Sequence, residues 1–321
     1  MTISNKQFYS PGQRKAIEKL RPILQLATSS VRPDLSLSTR TNTLVAGPSG
    51  SGKSFLAKAL AAEAGLPIWE TNVSTWIVLG ARNGNPTLVS LFEWINRMPK
   101  GVIFLDELEK PFPYNAGGSS SGSSDWFNSV RMEIHDLLDA RMPDAAIQVD
   151  EAAMADSYDG MLSTRDCKDL LKFSVEMKLR NSFLIIGAGT WQHLWTTNQN
   201  TIGYNSDLKP TTMLDQGQIM RSISPEILLR FRNEVLFLPP MTESDFHQVL
   251  RDRLGQIPVN YRKRFAELVH RAIPRAMEFG LGMRIIEETF TNLCVEILRN
   301  CAGDENLFRD IFSSCRNDKI F

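Results

Sequence analysis

The sequence predicts an α/β fold in which a doubly wound parallel sheet is followed by a small all-helical domain. Continuous apolar runs such as GVIFL at 101–105 are expected of strands that a parallel sheet buries on both faces. These runs alternate with helical patterns, as they do in doubly wound sheets. After Pro239-Pro240 the spacing of apolar residues becomes purely helical, which indicates that a second domain begins there.

The elements are predicted in order along the chain. Besides 101–105, strands are expected at 41–46, 67–73, 183–186 and 235–238. Helices are expected at 11–27, 54–65 and 86–98, and two more, YRKRFAELVHRAI and RIIEETFTNLCVEILRN, follow residue 240. The Gly/Ser segment 117–124 predicts a loop, and the acidic segment of about 142–180 an elaboration between two strands. A chain of 321 residues has room for two domains, which we place at 1–240 and 241–321.

Composition argues against several classes of protein. The 36 lysines and arginines balance 36 aspartates and glutamates, whereas domains that bind nucleic acid by bulk electrostatics carry a basic excess. This balance leaves room for a local basic channel. The chain has neither an apolar stretch of ~20 residues nor an apolar signal-peptide core, so we expect a cytoplasmic protein without membrane contact. Its four cysteines form no C-x-x-C pair, which argues against a disulfide framework or a zinc site.

A glycine-rich loop between the first strand and the next helix carries the strongest functional signal. It matches the phosphate-loop (Walker A) pattern G-x-x-x-x-G-K-[ST] in full, as Gly47-Pro48-Ser49-Gly50-Ser51-Gly52-Lys53-Ser54. Glycines let backbone N–H groups close around phosphate oxygens, and the following helix presents its positive end to the same anion. We expect Lys53 to neutralise charge on the β- and γ-phosphates and the Ser54 hydroxyl to ligate Mg²⁺.

Two acids follow the apolar run GVIFL, at the sheet edge where doubly wound folds bind ligands (the Walker B position). Asp106 is expected to hold the Mg²⁺, directly or through water. Glu107 is expected to orient the attacking water or accept its proton. Phosphate loop and acidic strand end together predict a nucleoside triphosphatase that uses Mg²⁺.

Beyond these motifs the chain resembles the AAA+ ATPase family over nearly its whole length. Gly12-Gln13 is similar to the segment that cradles adenine in this family. Thr190, after FLIIGAG, resembles the polar position that helps to place the hydrolytic water, with Gln192 and His193 close by as polar alternatives. The resemblance thus implies that ATP is bound by residues before and after the phosphate loop.

Two arginines extend the same resemblance. Arg230, in SPEILLRF, stands where the family carries the arginine finger that reaches a neighbouring subunit's nucleotide, and Arg221 and Arg232 compete for that assignment. Arg284, in Gly282-Met283-Arg284-Ile285, resembles the lid arginine that contacts the γ-phosphate from the same chain. Phosphoryl transfer needs positive charge beyond that of Lys53, and an arginine finger supplies ~10³–10⁵ in rate.

The subfamily is less clear, because the chain is similar both to Clp-type protein unfoldases and to Holliday-junction branch-migration motors. Clp-type unfoldases grip polypeptide with an aromatic–aliphatic pair beside a glycine after the second strand. Gly80 aligns with that glycine, but Ala81-Arg82 replaces the pair, which puts polypeptide threading in doubt. Trp76-Ile77 lies one turn earlier and either replaces the grip or belongs to the core.

The resemblance implies an ATP-hydrolysing ring, expected to be a homo-oligomeric hexamer that remodels or disassembles a protein substrate or complex. One alternative is a nucleic-acid-directed motor or loader, which the zero net charge does not favour. Another is a nucleotide-gated regulatory module that binds a partner and hydrolyses ATP slowly, as a switch.

Overall fold

Five parallel strands form one sheet that holds the candidate site at its carboxyl edge. They are β1 (Thr43–Ala46), β2 (Ile68–Asn72), β3 (Gly101–Asp106), β4 (Phe183–Gly189) and β5 (Val235–Phe237). Their spatial order is β2-β3-β4-β1-β5, and every neighbouring pair runs parallel. This confirms the predicted α/β fold with a doubly wound parallel sheet.

The computed structural model describes residues 10–29, 39, 41–83, 86–111, 125–148, 163–191, 225–232 and 234–317. Helices flank the strands along the chain, with a 3₁₀ turn at Asp144–Ala146. In order they are α1 (Pro11–Thr28), α2 (Lys53–Glu63), α3 (Val73–Asn83), α4 (Pro86–Arg97), α5 (Asp125–Leu138), α6 (Thr164–Ser182), α7 (Pro225–Leu228), α8 (Glu243–Leu254), α9 (Val259–Phe279), α10 (Arg284–Asn300) and α11 (Glu305–Asn317).

Contacts divide the chain into two compact units. The sheet unit comprises Ala16–Ala46 and Lys53–Phe237, and the helical unit comprises Met1–Lys15, Gly47–Gly52 and Leu238–Phe321. The six-residue loop between β1 and α2 is thus grouped with the helical unit. The division of the chain into domains at residue 240 stays a prediction.

The central strands of the sheet unit are buried, as their apolar sequences require. All seven residues of β4 are buried, and so are the first five of β3. Because β4 pairs with both β3 and β1, with Leu105 opposite Gly187 and Ala46 opposite Gly189, these three strands end at one edge of the sheet. The segments that follow the three strands therefore start from the same edge.

The helical unit has its own apolar core, built from α8 to α10 and covered in part by α11. A capping box begins α8, because the Thr242 side chain accepts from the Asp245 N–H while the Asp245 carboxylate accepts from the Thr242 N–H. The left-handed Gly280 ends α9, with φ 62°. These local signals explain why α8 begins at Glu243 and why α9 ends at Phe279.

The structure corrects one interpretation of the loop after the second strand. Residues 73–83 form the helix α3, and Trp76 on it is fully buried, with its Nε1–H donating to Glu133 Oε2 at 2.7 Å. Trp76 therefore belongs to the core, and the idea that it grips a substrate is wrong. The side chains of 80–82 and the Gly/Ser segment 117–124 lie outside the described residues.

Candidate functional site

Within the helical unit, the phosphate loop has the backbone that its glycines predict. Gly50 and Gly52 have φ of +75° and +86°, a left-handed conformation that costs glycine little. A Cβ on Gly47 would lie 2.5 Å from the carbonyl oxygen of Leu238. The Ser51 N–H closes the loop on the carbonyl of Pro48 at 3.3 Å. Among the described residues the buried Ser51 hydroxyl has no hydrogen-bond partner, so the loop holds a polar group that a bound ligand could satisfy.

Gln13 is tied to the phosphate loop by its side-chain amide. Its Nε2–H donates to the Ser51 carbonyl at 3.0 Å, and its Oε1 accepts from the Ser10 N–H at 3.0 Å. A Cβ on the neighbouring Gly12 would lie 2.8 Å from Pro239 Cδ. These contacts place Gln13 beside the loop, while the adenine contact expected of Gly12 and Gln13 stays a prediction.

At the carboxyl edge of the sheet, β3 and the start of α2 bring Ser54 and Asp106 together. The Ser54 hydroxyl donates to Asp106 Oδ2 at 2.8 Å, and Asp106 Oδ1 accepts from the Glu107 N–H at 2.9 Å. Lys53, which begins α2, is 7% exposed. A hydroxyl and a carboxylate are the oxygen donors that Mg²⁺ takes in sites of this kind, so Ser54 and Asp106 fit the ion.

Glu107 leaves the strand in a strained conformation. Its φ is 55°, in the left-handed region that non-glycine residues rarely adopt. Its Oε2 accepts a short, 2.5 Å hydrogen bond from the hydroxyl of Ser74, which lies one residue into α3. Asn72 Oδ1, at the end of β2, accepts from the Ser74 N–H at 2.8 Å. The sequence analysis missed Ser74, whose signal is its position just after a strand that ends at this edge.

Thr190 follows β4 and is paired with an acid that the sequence analysis also missed. Its hydroxyl donates to Glu109 Oε1 at 2.7 Å, while Glu109 Oε2 is buried and has no hydrogen-bond partner in the part of the chain that the structure describes. A Cβ on Gly189 would lie 2.6 Å from that Oε2. The signal for Glu109 is its place three residues after Asp106, in the acidic run Asp106-Glu107-Leu108-Glu109 that follows the strand.

Arg230 lies in a second polar cluster of the sheet unit. Its Nε donates to Asp139 Oδ2 at 3.2 Å, and one Nη donates to the Glu226 carbonyl at 2.7 Å. His135 is in the same cluster, and burial, followed by the positive charge of Arg230, lowers its pKa. Arg230 therefore binds a carboxylate and a backbone carbonyl of its own chain.

Arg284 begins α10 and is exposed. The turn before it contacts the phosphate loop, since the Met283 N–H donates to the Gly50 carbonyl at 3.0 Å. Sequence reasoning predicted Arg284 at the γ-phosphate and did not foresee that contact.

Comparison with known proteins finds a family model that matches part of the chain. The family model described as "ATPase family associated with various cellular activities (AAA)" matches residues 43–192. These residues include the phosphate loop, the acidic strand end and Thr190. The match identifies the segment as an AAA+ ATPase domain that binds nucleotide and hydrolyses ATP.

Curated relatives match shorter segments. An "ATP-dependent zinc metalloprotease FtsH" of Lancefieldella parvula is 30% identical over 99 residues, 30% of this chain and 15% of the relative. "FtsH 1" of Symbiobacterium thermophilum is 31% identical over 94 residues, 28% and 16% of the two chains. "FtsH 4" of a Synechocystis species is 35% identical over 82 residues, 26% and 13%. The alignments thus span about a seventh of these relatives.

The rest of the described chain adds two observations. Among the described residues no helix is long and apolar enough to cross a bilayer. Within the same ranges, no group of three or more His, Cys, Asp and Glu side chains is arranged to hold a metal ion.

Proposed function

We propose that this chain, which carries an AAA+ ATPase domain and hydrolyses ATP, uses that hydrolysis to remodel or disassemble a protein substrate or complex. The observation that carries the proposal is the similarity of part of the chain, 99 residues in one case, to ATP-dependent zinc metalloproteases, whose name implies protein substrates. A net charge of zero supports a protein substrate over nucleic acid. We further propose that the chain acts in the cytoplasm as a homo-oligomeric ring, taken to be a hexamer.

In this proposal Glu107 acts on the attacking water. A carboxylate offers about four lone-pair positions, so Ser74 can hold Oε2 while the group still accepts a proton from water. The left-handed backbone of Glu107 and the Ser74 bond together restrict where the carboxylate can lie. Thr190, whose hydroxyl is held by Glu109, is the second group proposed to orient the water.

Ser54 and Asp106 are the residues that would hold Mg²⁺ next to the phosphates. The bound ion would neutralise charge on the β- and γ-phosphate oxygens. Because the Ser54 hydroxyl already donates to Asp106 Oδ2, the two oxygens are positioned together. Lys53 would add positive charge to the same phosphates, and the glycine-rich backbone of 47–52 would supply N–H donors.

Arg230 is proposed to act on the ATP of a neighbouring subunit. A guanidinium carries five N–H donors, and the contacts to Asp139 and Glu226 engage Nε and one Nη. Positive charge delivered from a second subunit would stabilise the transition state and make hydrolysis depend on assembly. Arg284 would contact the γ-phosphate from its own chain.

A substrate trap tests the protein-remodelling proposal. Glu107→Gln should bind ATP without turnover and so retain its substrate, whereas Lys53→Ala, which loses a phosphate-binding charge, serves as the matched control. We expect tagged Glu107→Gln, incubated in cell extract with ATP, to recover polypeptides that persist after nuclease treatment and are missing with Lys53→Ala. Recovery of DNA instead, lost steeply as salt is raised, would contradict a protein substrate.

Mixed oligomers test the ring and the role of Arg230. Arg230→Ala and Lys53→Ala should each be inactive alone. When the two are mixed, an intact Arg230 on a Lys53→Ala subunit can serve the intact site of its Arg230→Ala neighbour, and we expect part of the ATPase rate to return. A mixture as inactive as its components would contradict action across a subunit boundary.

A further inference from the structure

Two left-handed glycines face each other where the phosphate loop contacts the turn before α10. Gly50 has φ +75° and Gly282 φ +55°. A Cβ on Gly282 would lie 2.1 Å from the Gly50 carbonyl oxygen, and a Cβ on Gly50 would lie 2.3 Å from the Leu281 carbonyl oxygen. Both obstacles are backbone atoms, so no rotamer change can relieve either clash. This contact, the Gly50–Gly282 clasp, therefore tolerates no side chain on either glycine.

A backbone hydrogen bond closes the clasp. The Met283 N–H donates to the Gly50 carbonyl oxygen at 3.0 Å. The C=O and N–H of a trans peptide point in opposite directions, so holding this carbonyl also sets the direction of the Ser51 N–H. That N–H donates to the Pro48 carbonyl at 3.3 Å and closes the turn of the phosphate loop. The clasp thus fixes a peptide on which the shape of the loop depends.

The next peptide of the loop is held by the side chain of Gln13, which belongs to the same unit. Gln13 Nε2 donates to the Ser51 carbonyl at 3.0 Å, which sets the direction of the Gly52 N–H by the same geometry. Two successive loop carbonyls are therefore held by residues far away in the sequence. The loop has its shape because Met283 and Gln13 hold it, in addition to the conformational freedom of its glycines.

We propose that Gly50 and Gly282 are paired positioning residues for ATP hydrolysis, and that their clasp holds the phosphate loop in the shape that binds phosphate. Gly282 then contributes to nucleotide affinity although it comes 232 residues after Gly50 in the chain. The inference needs only the ATPase activity. It does not depend on the ring, on Arg230 or on a protein substrate.

The matched control is Gly280, two residues before Gly282. It has φ +62° and is exposed, and no atom of the other described residues lies within 4 Å of the position that a Cβ would take. Alanine pays a similar left-handed backbone cost at 280 and at 282, and only at 282 does it meet the backbone of the loop. Comparing Gly282→Ala with Gly280→Ala therefore separates the clasp from backbone strain.

The experiment is a titration of each variant with a fluorescent ADP derivative in the presence of Mg²⁺. We expect Gly282→Ala to bind about tenfold more weakly than the unmodified chain, the scale of one lost backbone hydrogen bond with some strain. Gly280→Ala should bind within about twofold of the unmodified chain. Equal weakening by both variants would reduce the effect to backbone strain and overturn the proposal, as would unchanged binding by Gly282→Ala.

ADP is the deciding probe because it lacks the γ-phosphate that Arg284 is proposed to contact. The KM for ATP should rise with the Kd for ADP, since both nucleotides need the loop. A weakening seen with ATP while ADP binds normally would assign the effect to Arg284 and overturn the clasp.

A second variant keeps the test open if Gly282→Ala does not fold. Met283→Pro removes the N–H donor at a residue whose φ of −62° proline adopts, and it leaves Gly282 in place. With a normal circular dichroism spectrum, this variant should bind the ADP probe several-fold more weakly. Unchanged affinity in a folded Met283→Pro chain would contradict the proposal.

Discussion

The sheet edge and the phosphate loop are held together by opposite kinds of contact. At the sheet edge, side-chain hydroxyls donate to carboxylates, as Ser54 does to Asp106, Ser74 to Glu107 and Thr190 to Glu109. At the loop, backbone contacts backbone, and the side chains are absent because both partners are glycine. The first arrangement is sensitive to chemistry, since changing one oxygen changes charge and hydrogen bonding. The second is sensitive to volume, since one added carbon has no space.

Removing the charge of Asp106 should have a large effect on turnover at the sheet edge. Asp106→Asn keeps the size of the side chain and an oxygen that can accept from Ser54, but it loses the negative charge that would hold Mg²⁺. We expect the ATPase rate to fall about a hundredfold. Steady-state phosphate release at saturating ATP measures it. Asp144→Asn, at an exposed acid paired with Lys172, is the control and should keep the rate. A similar loss of ATPase rate in Asp106→Asn and Asp144→Asn would contradict a specific role for the charge of Asp106.

Adding a methyl group to a closely packed glycine of the sheet unit tests whether side-chain neighbours yield more easily than the backbone neighbours of the clasp. A Cβ on Gly187 would lie 2.7 Å from Leu108 Cδ2 and from Phe231 Cζ, the ends of side chains that can move. Gly187→Ala should therefore lower the free energy of unfolding by about 1–3 kcal/mol, the usual cost of overpacking.

Shortening the neighbouring side chain of Phe231 should reduce that cost. The clasp offers no such relief, because its contacts are backbone atoms. In a Phe231→Leu background we expect Gly187→Ala to cost less than in the unmodified chain. All six tryptophans lie between residues 69 and 195, so urea unfolding followed by tryptophan fluorescence reports on the sheet unit. Equal costs in both backgrounds would contradict the side-chain origin of the strain.

The Thr190 hydroxyl should contribute a smaller effect on turnover. Thr190→Ala removes the donor to Glu109 Oε1, while Oε2 already has no hydrogen-bond partner among the described residues. We expect the ATPase rate to fall up to about tenfold, while Thr190→Ser, which keeps the hydroxyl, stays within about twofold. The rates of the two variants, measured side by side, check this. A serine variant as slow as the alanine variant would assign the effect to the methyl group and its packing.

The smallest expected effect is the contribution of His135 to the pH dependence of the free energy of unfolding. Burial, followed by the positive charge of Arg230, lowers the folded-state pKa of His135, with Arg131 acting in the same direction and Glu226 and Asp139 opposing it. The unfolded state then binds the proton more readily. Stability is therefore fully present above pH ~6.5 and is lost as the pH falls through the lowered folded-state pKa.

Replacing the imidazole should flatten that dependence. We expect the free energy of unfolding to differ less between pH 7.5 and pH 5.5 in His135→Gln than in the unmodified chain, as measured by urea unfolding at both values. An unchanged difference would mean that other groups set the acid side of the stability profile.

The sequence predicted the fold because burial on both faces leaves a uniform apolar run, as in β3, and because phosphate loops need glycine at fixed positions. The sequence also predicted that Ser54, Asp106 and Glu107 belong to one site. Ser54 is part of the phosphate-loop motif, and the two acids stand at the end of a predicted strand. Ser74 and Glu109 were missed because their partners lie 33 and 81 residues away and depend on which strands are neighbours.

Other features depend on the folded chain in ways that spacing does not reveal. Trp76 was open to two interpretations because an apolar residue after a strand suits a core as well as a binding loop. Its burial against Glu133 settles the question. The role of Gly282 was invisible because its partner is the backbone of Gly50, and a backbone partner leaves no pattern in side-chain types.

The most direct test of the central claim is to measure phosphate release and nucleotide affinity on the same sample of Glu107→Gln. The exchange keeps the shape and the acceptor oxygen while it removes the basicity that water activation requires. We predict that turnover falls about 10²–10⁴-fold and that the affinity for ATP stays within about twofold. Turnover that survives the exchange, or affinity that is lost with it, would contradict the assignment of Glu107 as the group that activates water.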